Sequence, residues 1–273
     1  MAAAFGFAAA GVAAVVALAV AVPFTSPEEP FADAATDVAA RALRDGALVG
    51  VPAPVEPAFV PGRPVLLRDS SHISRWAIVV SAVRPREEPH AAARPLPWLS
   101  TRTPEGTTNI VLVLDRRVDA AGDLWIRVLL PSLDADATGW VPREALGGYG
   151  TVRTRLVVDV DSLQATLLRD GRAVFRADVG VGEPAWPTPT GEFYVRNRLT
   201  GYASPQYGPI AFGTSARSRV LTDWPAGGFV GIHGTDRPDL LPGYVSHGCI
   251  RMRNEDILRL ARLMPVGTPL TVR

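Results

Sequence analysis

"RLVVDVDSLQATLLRDGRAVFRADVGVG" (residues 155–182) decides the fold class of this chain. Two strand-like runs rich in apolar and β-branched residues flank Asp161, and a third run follows "RDGR" (169–172). An Asp-Gly pair between two such runs is typical of a β-hairpin. The counts of Gly and Pro, 25 each among 273 residues, favour a loop-rich β protein over a helical bundle. We therefore predict a mainly β fold.

Further strands are expected downstream of this segment. "TPTGEFYVRNRL" (188–199) and "PLTVR" (269–273) are predicted as strands, and "GFVGIHG" (228–234) as a strand that ends at His233. His233 would then stand at the mouth of a strand.

One helix is expected in this half of the chain, at "NEDILRLARLM" (254–264). Asn254 is the predicted N-cap residue, acidic residues follow it at the positive end of the helix dipole, and Pro265 ends the helix. Its apolar residues fall on one face, namely Ile257, Leu260, Ala261 and Met264.

Residues 65–147 are predicted to form a small β-barrel, because short strand-like runs there are separated by turns. The runs are 64–69, 75–83, 109–115, 124–130 and 138–146. The last two resemble the final strands of bacterial SH3-like domains. This resemblance implies a wall-binding module or a plain spacer, and the sequence leaves both open. "GGYG" (147–150) is predicted as a hinge before a second domain.

The N-terminal part of the chain indicates export. Residues 1–24 include an uncharged apolar run that is long enough to span a bilayer, and we predict a signal peptide or membrane anchor. A buried Ala-rich helix is the alternative. Residues 25–64 form a predicted Ala/Pro-rich linker. We expect an extracytoplasmic protein of the cell envelope that touches the membrane only through its N-terminal segment.

The charge balance gives no indication of a nucleic-acid partner, because the formal net charge is only +1. All 28 basic residues are Arg. Any single Arg can therefore occupy a surface position where another protein would carry Lys.

Cys249 is the only cysteine, so it cannot form an internal disulfide. It is a structural thiol, a metal ligand or a nucleophile. A thiol becomes a nucleophile when a nearby imidazole takes its proton, and His233 and His247 both precede Cys249 within a 17-residue stretch. Gly248 removes a side chain beside the thiol, which lets a substrate approach and leaves amide groups available to a developing oxyanion. A plain turn is the alternative for Gly248.

The motif around this thiol resembles the signature of the L,D-transpeptidase catalytic domain family. That signature has a His, a gap, and then Ser or Thr followed by His, Gly, Cys, a hydrophobic residue, and Asn or Arg. Here the matching positions are His233, a gap of 13 residues, and 246–251 with the sequence "SHGCIR". The resemblance covers 153–273 and implies a β-sandwich-like domain with its cysteine in a cleft.

The resemblance also implies a role for each residue of the motif. Cys249 is expected to be the nucleophile and His233 the general base and acid, with its ring oriented by a backbone carbonyl near Gly234. His247 and Gly248 are expected to shape the site, and the amides of 247–249 to form the oxyanion hole. Ser246 is expected to support them.

Substrate contacts are expected from residues nearby. Arg251 lies where other members often carry Asn, and is expected either to bind a substrate carboxylate or to support the site. Residues 200–228 are predicted to form a flap over the cleft, from which Tyr207 and Trp224 could contact the stem. Ordinary packing is the alternative for both.

The family implies that a peptidoglycan tetrapeptide stem acylates the cysteine, D-Ala leaves, and an amine of a second stem takes the acyl group in a 3→3 cross-link. Water in place of the amine would give carboxypeptidase activity. The family implies no metal or organic cofactor, and implies acylation of the thiol by some β-lactams, especially carbapenems.

Three other interpretations were open at the level of sequence. His233, His247 and Cys249 are also zinc-ligand types, which would suit a zinc-dependent peptidoglycan hydrolase. A papain-type hydrolase is disfavoured, because no His follows Cys249. A catalytically inactive cell-wall-binding module is the third.

Overall fold

The computed structural model of the protein describes residues 65–67, 72–200, 204–221 and 228–273. Within these ranges it contains sixteen strands, one α-helix and three short 3₁₀ helices. The strands are β1 (Val65–Leu66), β2 (Ser74–Val79), β3 (Ile110–Val118), β4 (Leu124–Leu129), β5 (Thr138–Pro142), β6 (Leu146–Val152), β7 (Thr154–Asp159), β8 (Gln164–Arg169), β9 (Arg172–Asp178), β10 (Gly180–Gly182), β11 (Gly191–Thr200), β12 (Ile210–Arg217), β13 (Phe229–His233), β14 (Gly243–Ser246), β15 (Ile250–Arg251) and β16 (Pro269–Val272); the helix α1 is Asn254–Leu263, and the 3₁₀ helices are Arg143–Ala145, Pro205–Tyr207 and Pro238–Leu240.

The predicted mainly β fold is confirmed. The segment that decided the fold class forms the meander β7-β8-β9, and its hairpin turns at Asp170 and Gly171, which have φ values of 51° and 75°. Two successive residues with positive φ are what a tight hairpin turn of this hand requires. The predictions of β11, β13 and β16 are also correct.

Each of the five upstream runs forms a strand, and these strands build the first sheet together with β6. Its strands lie in the order β5-β4-β3-β2-β6, with β1 added on β3, and all pairs are antiparallel. A separate cluster of apolar residues, including Val111, Val113, Ile126 and Val128, forms its core. The likeness to SH3-like domains and the domain boundaries remain predictions.

The prediction of a hinge at 147–150 is wrong, because these residues belong to β6 and pair with β2. The prediction failed because the three glycines of this segment are typical of a loop. A Cβ at Gly150 would lie 2.7 Å from Nε1 of Trp76 and closer still to its ring carbons. Gly150 is therefore required by the Trp76 indole, which covers the strand at this point.

The second sheet has ten strands in the order β14-β10-β15-β13-β12-β11-β16-β7-β8-β9. Residues from both ends of this order, such as Leu167 of β8 and Ile250 of β15, join Leu260 of α1 in one buried cluster. The sheet thus curls around a single core, as in the expected sandwich-like domain.

Helix α1 buries the face predicted for it, but its first turn differs from the prediction. Ile257, Leu260 and Ala261 are buried in the core. Asn254 is not the N-cap residue: Arg253 holds that position, and no side chain caps the helix there. Asn254 instead accepts a hydrogen bond from the backbone N–H of Thr235 at 3.0 Å, so its amide oxygen is committed to another segment.

The prediction of a flap at 200–228 is wrong for much of that segment. Residues 210–217 form β12, which lies inside the sheet between β11 and β13 and is buried over almost all of its length. Both faces of β12 are covered, so its sequence shows no alternation that could have revealed it. Residues 201–203 and 222–227 lie outside the described ranges, as do the predicted signal or anchor and the linker at 1–24 and 25–64. No helix within the described ranges is both long and apolar enough to cross a membrane.

Candidate active site

Parallel pairing of two strands brings the motif residues together. β13 pairs with β15 so that Ile232 lies opposite Ile250 and His233 opposite Arg251. Cys249 directly precedes β15 and therefore lies beside Gly231, in the middle of β13. Its Sγ accepts a hydrogen bond from the backbone N–H of Gly231 at 3.3 Å.

Gly231 separates the thiol from the imidazole. A Cβ added there would lie 3.8 Å from Cδ2 of His233 and 3.9 Å from Sγ of Cys249. Because residues two apart in a strand share a face, Gly231 and His233 both point to the side where the thiol lies. The glycine leaves the space between the predicted base and nucleophile open.

His233 is buried, and its tautomer is set by the backbone. Its Nδ1 lies 2.6 Å from the carbonyl oxygen of Gly234, so Nδ1 carries the proton and donates it, leaving Nε2 able to accept one. Burial lowers the pKa of His233 to about 4, against the opposing effect of the Gly234 carbonyl, and Arg251 lowers it further. The ring of Tyr207 lies 4.9 Å from the imidazole, centroid to centroid. The resting imidazole is therefore neutral near pH 7.

Cys249 is a free thiol that is partly exposed. Burial of the sulfur raises its pKa, while the Gly231 N–H and the charge of Arg251 lower it by less. Thiol and imidazole are thus both uncharged at rest. The site can generate the thiolate only as the imidazole takes the proton.

The turn that carries the thiol is held by Ser246. The Ser246 hydroxyl is fully buried, donates to the carbonyl of Cys249 at 2.6 Å and accepts from the N–H of Gly248 at 3.1 Å. Gly248 has a φ of +109°, which a residue with a side chain rarely adopts. Gly248 therefore forms a turn, as in the plain-turn interpretation, and it also lies directly beside the thiol.

His247 lies on the exposed side of the turn. Its ring contacts Trp186, with the centroids 4.4 Å apart and the planes tilted by 40°. This places His247 at the exposed wall of the cleft, whereas His233 is buried.

Among the predicted site residues, Arg251 has a buried side-chain N–H that makes no hydrogen bond within the described residues. It lines the cleft with His233 and Cys249, and its buried Nε has no partner among the described residues. Its positive charge lowers the pKa of both His233 and Cys249. A guanidinium that lines a cleft is suited to an anionic substrate group.

A cleft of about 410 Å³ opens over these groups. Five of the predicted site residues line it: Tyr207, His233, His247, Cys249 and Arg251. Ser246, Gly234 and Gly248 support the site from below, and Trp224 lies outside the described ranges.

Three residues that support the site were not found from the sequence. Thr188 donates to the carbonyl of Gly248 at 3.0 Å, and Trp186 packs on His247. Asn254 binds the Thr235 N–H, and a Cβ at Gly234 would overlap its amide oxygen, so it fixes the segment that orients His233. For Trp186 and Thr188, the only signal in the sequence was the unusual run "AWPTPTG" (185–191), which combines an aromatic residue with residues that favour fixed loops.

The zinc alternative has no geometric support. Among the residues that the structure describes, no three His, Cys, Asp or Glu side chains are grouped as a metal ion would require.

Comparison with known proteins gives one consistent result. Residues 153–272 match the model of the L,D-transpeptidase catalytic domain. The chain is 31% identical over 176 residues to YkuD of Bacillus subtilis, which bears the L,D-transpeptidase name; the match covers 64% of this chain and 98% of that protein.

Two further matches were found. YkuD of Bacillus licheniformis is 33% identical over 122 residues, 45% of this chain and 67% of that protein. A solved L,D-transpeptidase of Enterococcus faecium is 26% identical, covers 44% of this chain and 49% of that chain, and has a TM-score of 0.34. This chain therefore spans about half the length of that solved protein, and so low a TM-score adds nothing to the sequence matches. The near-complete coverage of the Bacillus subtilis relative, together with the domain match, shows that this chain belongs to the L,D-transpeptidase family.

Proposed function

We propose that this protein is a cysteine acyltransferase that cross-links peptidoglycan stems. The observation that carries the proposal is the arrangement at Gly231, where an uncharged thiol and a neutral imidazole whose Nε2 can accept a proton lie on either side of a residue that has no side chain. Family membership supplies the substrate class.

The first half-reaction forms a thioester. Sγ of Cys249 attacks the carbonyl carbon of the peptide bond before the terminal D-Ala of a tetrapeptide stem, and Nε2 of His233 takes the thiol proton. The low pKa of His233 would make this transfer unfavourable on its own. It becomes favourable as negative charge develops on the substrate oxygen beside the new imidazolium. The carbon–nitrogen bond then breaks, and the departing D-Ala amine receives the proton.

The second half-reaction releases the enzyme. A side-chain amine of a second stem attacks the thioester carbonyl, its proton passes to His233, and the carbon–sulfur bond breaks. The thiolate recovers its proton from the imidazolium, and the product is a 3→3 cross-link. Water in place of the amine gives a carboxypeptidase side reaction.

Arg251 is proposed to bind a carboxylate of the donor stem. Its positive charge, its place in the lining of the cleft and its position opposite His233 support this role. Tyr207, which lines the same cleft against His233, is proposed to contact the stem. Trp224 remains a proposed contact on sequence grounds alone.

We also propose that the protein acts in the cell envelope, where this substrate lies, with residues 1–24 as its signal or anchor. A carbapenem is an alternative acyl donor whose strained ring opens on the thiol, which would leave one stable adduct on Cys249.

The test is the reaction of the full chain with purified disaccharide-tetrapeptide, followed by mass spectrometry of products and protein. We expect dimers that have lost one D-Ala, one carbapenem adduct per chain, and loss of both in Cys249→Ala. Arg237→Gln, a change at the exposed rim of the cleft, is the control that should keep both. Dimers formed by Cys249→Ala would refute the nucleophile, and D-Ala release without dimers would make the protein a carboxypeptidase.

A further inference from the structure

Thr188 joins two segments at the nucleophile. Its side chain is buried, and its hydroxyl accepts a hydrogen bond from the N–H of Gly182 at 2.8 Å and donates one to the carbonyl of Gly248 at 3.0 Å. With both bonds made, the direction of the hydroxyl proton is fixed toward Gly248. The hydroxyl thus acts on the peptide unit that links Gly248 to Cys249.

That peptide unit contains one carbonyl group and one N–H group, whose directions are coupled. In a planar trans peptide, the carbonyl of Gly248 and the N–H of Cys249 point to opposite sides. Holding the carbonyl therefore also sets the direction of the Cys249 N–H. An N–H of the nucleophile itself lies close to the atom under attack, where it can stabilise a developing oxyanion.

The neighbouring peptide units are fixed by another residue. Ser246 holds the N–H of Gly248 and the carbonyl of Cys249, so it controls the units before and after. The unit between them can turn about its flanking bonds, and glycine at 248 makes such a turn inexpensive because it has no Cβ to clash. Among the hydrogen bonds of the described residues, the one from Thr188 is what selects between the two orientations of this unit.

We propose that Thr188 is a positioning residue for the oxyanion hole, which it builds by orienting the Cys249 N–H through the Gly248 carbonyl. This inference rests on the proposed function only in requiring that Cys249 be acylated. Thr188 touches neither the sulfur nor the substrate, and acts through the peptide plane alone.

If Thr188 acts in this way, its loss should slow one reaction of the Cys249 thiol and leave the rate of another unchanged. In acylation by p-nitrophenyl acetate, the thiol proton passes to His233 and sulfur forms a bond to the acetyl carbon. The reaction passes through an oxyanion and expels p-nitrophenolate with the electron pair of the broken carbon–oxygen bond. Alkylation by iodoacetamide displaces iodide directly and forms no oxyanion. A residue that only orients an oxyanion donor affects the first reaction and leaves the second unchanged.

The experiment measures both second-order rates on the full chain carrying Thr188→Val, which keeps the shape of the side chain and removes the hydroxyl. We expect acylation to fall about 10- to 100-fold, somewhat less than the loss of an oxyanion donor outright. Alkylation should stay within about 2-fold, on the reasoning that the thiol and His233 are untouched. Thr188→Ser should restore acylation, and Thr190→Val, on the same loop, should change neither rate.

Each other outcome overturns the inference. Equal loss of both rates would mean that the thiol or the fold is disturbed, and no loss would mean that the peptide unit needs no anchor. Failure of Thr188→Ser would show that the methyl group, not the hydrogen bond, matters. If Thr188→Val does not fold, Thr188→Ala leaves room for a water molecule and is compared in the same way. Because these reagents need no stem peptide, a protein that fails to cross-link stems would still answer this question.

Discussion

Arg251 lowers the pKa of both His233 and Cys249, with opposite consequences for their charge. Its positive charge disfavours imidazolium at His233 and favours thiolate at Cys249, so it lowers both pKa values. Burial opposes charge on each group and is the larger effect at both. Burial therefore keeps the imidazole and the thiol neutral. The charge of Arg251 shifts both pKa values, and with them the pH at which the acid limb and the alkaline limb of the rate profile fall.

Removing that charge should move both limbs in one direction. In Arg251→Gln, the pKa of His233 rises from about 4 and that of Cys249 rises further above its ordinary value. The acid limb of acylation by p-nitrophenyl acetate should shift to higher pH, and so should the onset of alkylation by iodoacetamide. Both rates are followed against pH, with Arg237→Gln as the control cation of the same cleft. Limbs that stay in place, or that move in opposite directions, would exclude this electrostatic role.

Residue identities at the site were predictable where one short motif held them, and not where a distant segment supplied them. His233, Ser246, Gly248 and Cys249 were named from the sequence because they match the short motif of the family that this sequence resembles. Thr188 was not found, because its partner Gly248 lies 60 positions away in the chain. Only the folded sheet brings such backbone contacts together.

Alternation along the sequence identifies β7 but not β12. The alternating burial of β7 left a clear pattern in the sequence, whereas β12 is buried on both faces and left none. β6 was missed for a different reason, because its three glycines resemble a loop. The order of the strands, including the parallel pair β13 and β15 that builds the site, depends on long-range pairing that alternation does not encode.

The glycines of β6 differ in what they face, which gives a paired test. A methyl group at Gly150 would overlap the indole of Trp76, so Gly150→Ala should destabilise the fold by about 1–3 kcal/mol through overpacking. Gly148→Ala, in the same strand and with nothing within 4 Å of the added Cβ, should have little effect. Urea unfolding of both variants measures the difference. Equal stabilities would mean that Trp76 moves aside without cost and that the packing does not require a glycine.

The two sheets are joined by buried polar contacts as well as by apolar packing. The hydroxyl of Tyr194 donates to the carbonyl of Ile110 at 3.1 Å. Arg196 of β11 is buried, pairs with Glu105 at 3.1 Å and lies over the ring of Phe229, with its Cζ 3.7 Å from the ring centroid. Because Phe229 begins the strand that ends at His233, the upstream loop contributes to the surroundings of the site. No sequence pattern predicted this pairing, since an Arg on a strand is ordinarily a surface residue.

Loss of Glu105 should therefore weaken the whole molecule. Its carboxylate also accepts a hydrogen bond from Asn197 at 3.2 Å. Glu105→Ala therefore leaves the buried guanidinium of Arg196 without its anionic partner, while the Asn197 amide keeps its hydrogen bond to Thr107. Removing one member of a buried ion pair costs about 3–5 kcal/mol.

Asp134→Ala, which breaks the exposed pair between Asp134 and Arg219, is the matched control and should change stability little. Calorimetry of the full chain should show a large fall in unfolding temperature for Glu105→Ala alone. Equal behaviour of the two variants would show that apolar packing by itself joins the sheets, and that the buried charge of Arg196 is satisfied by its remaining contacts with Thr214 and Phe229.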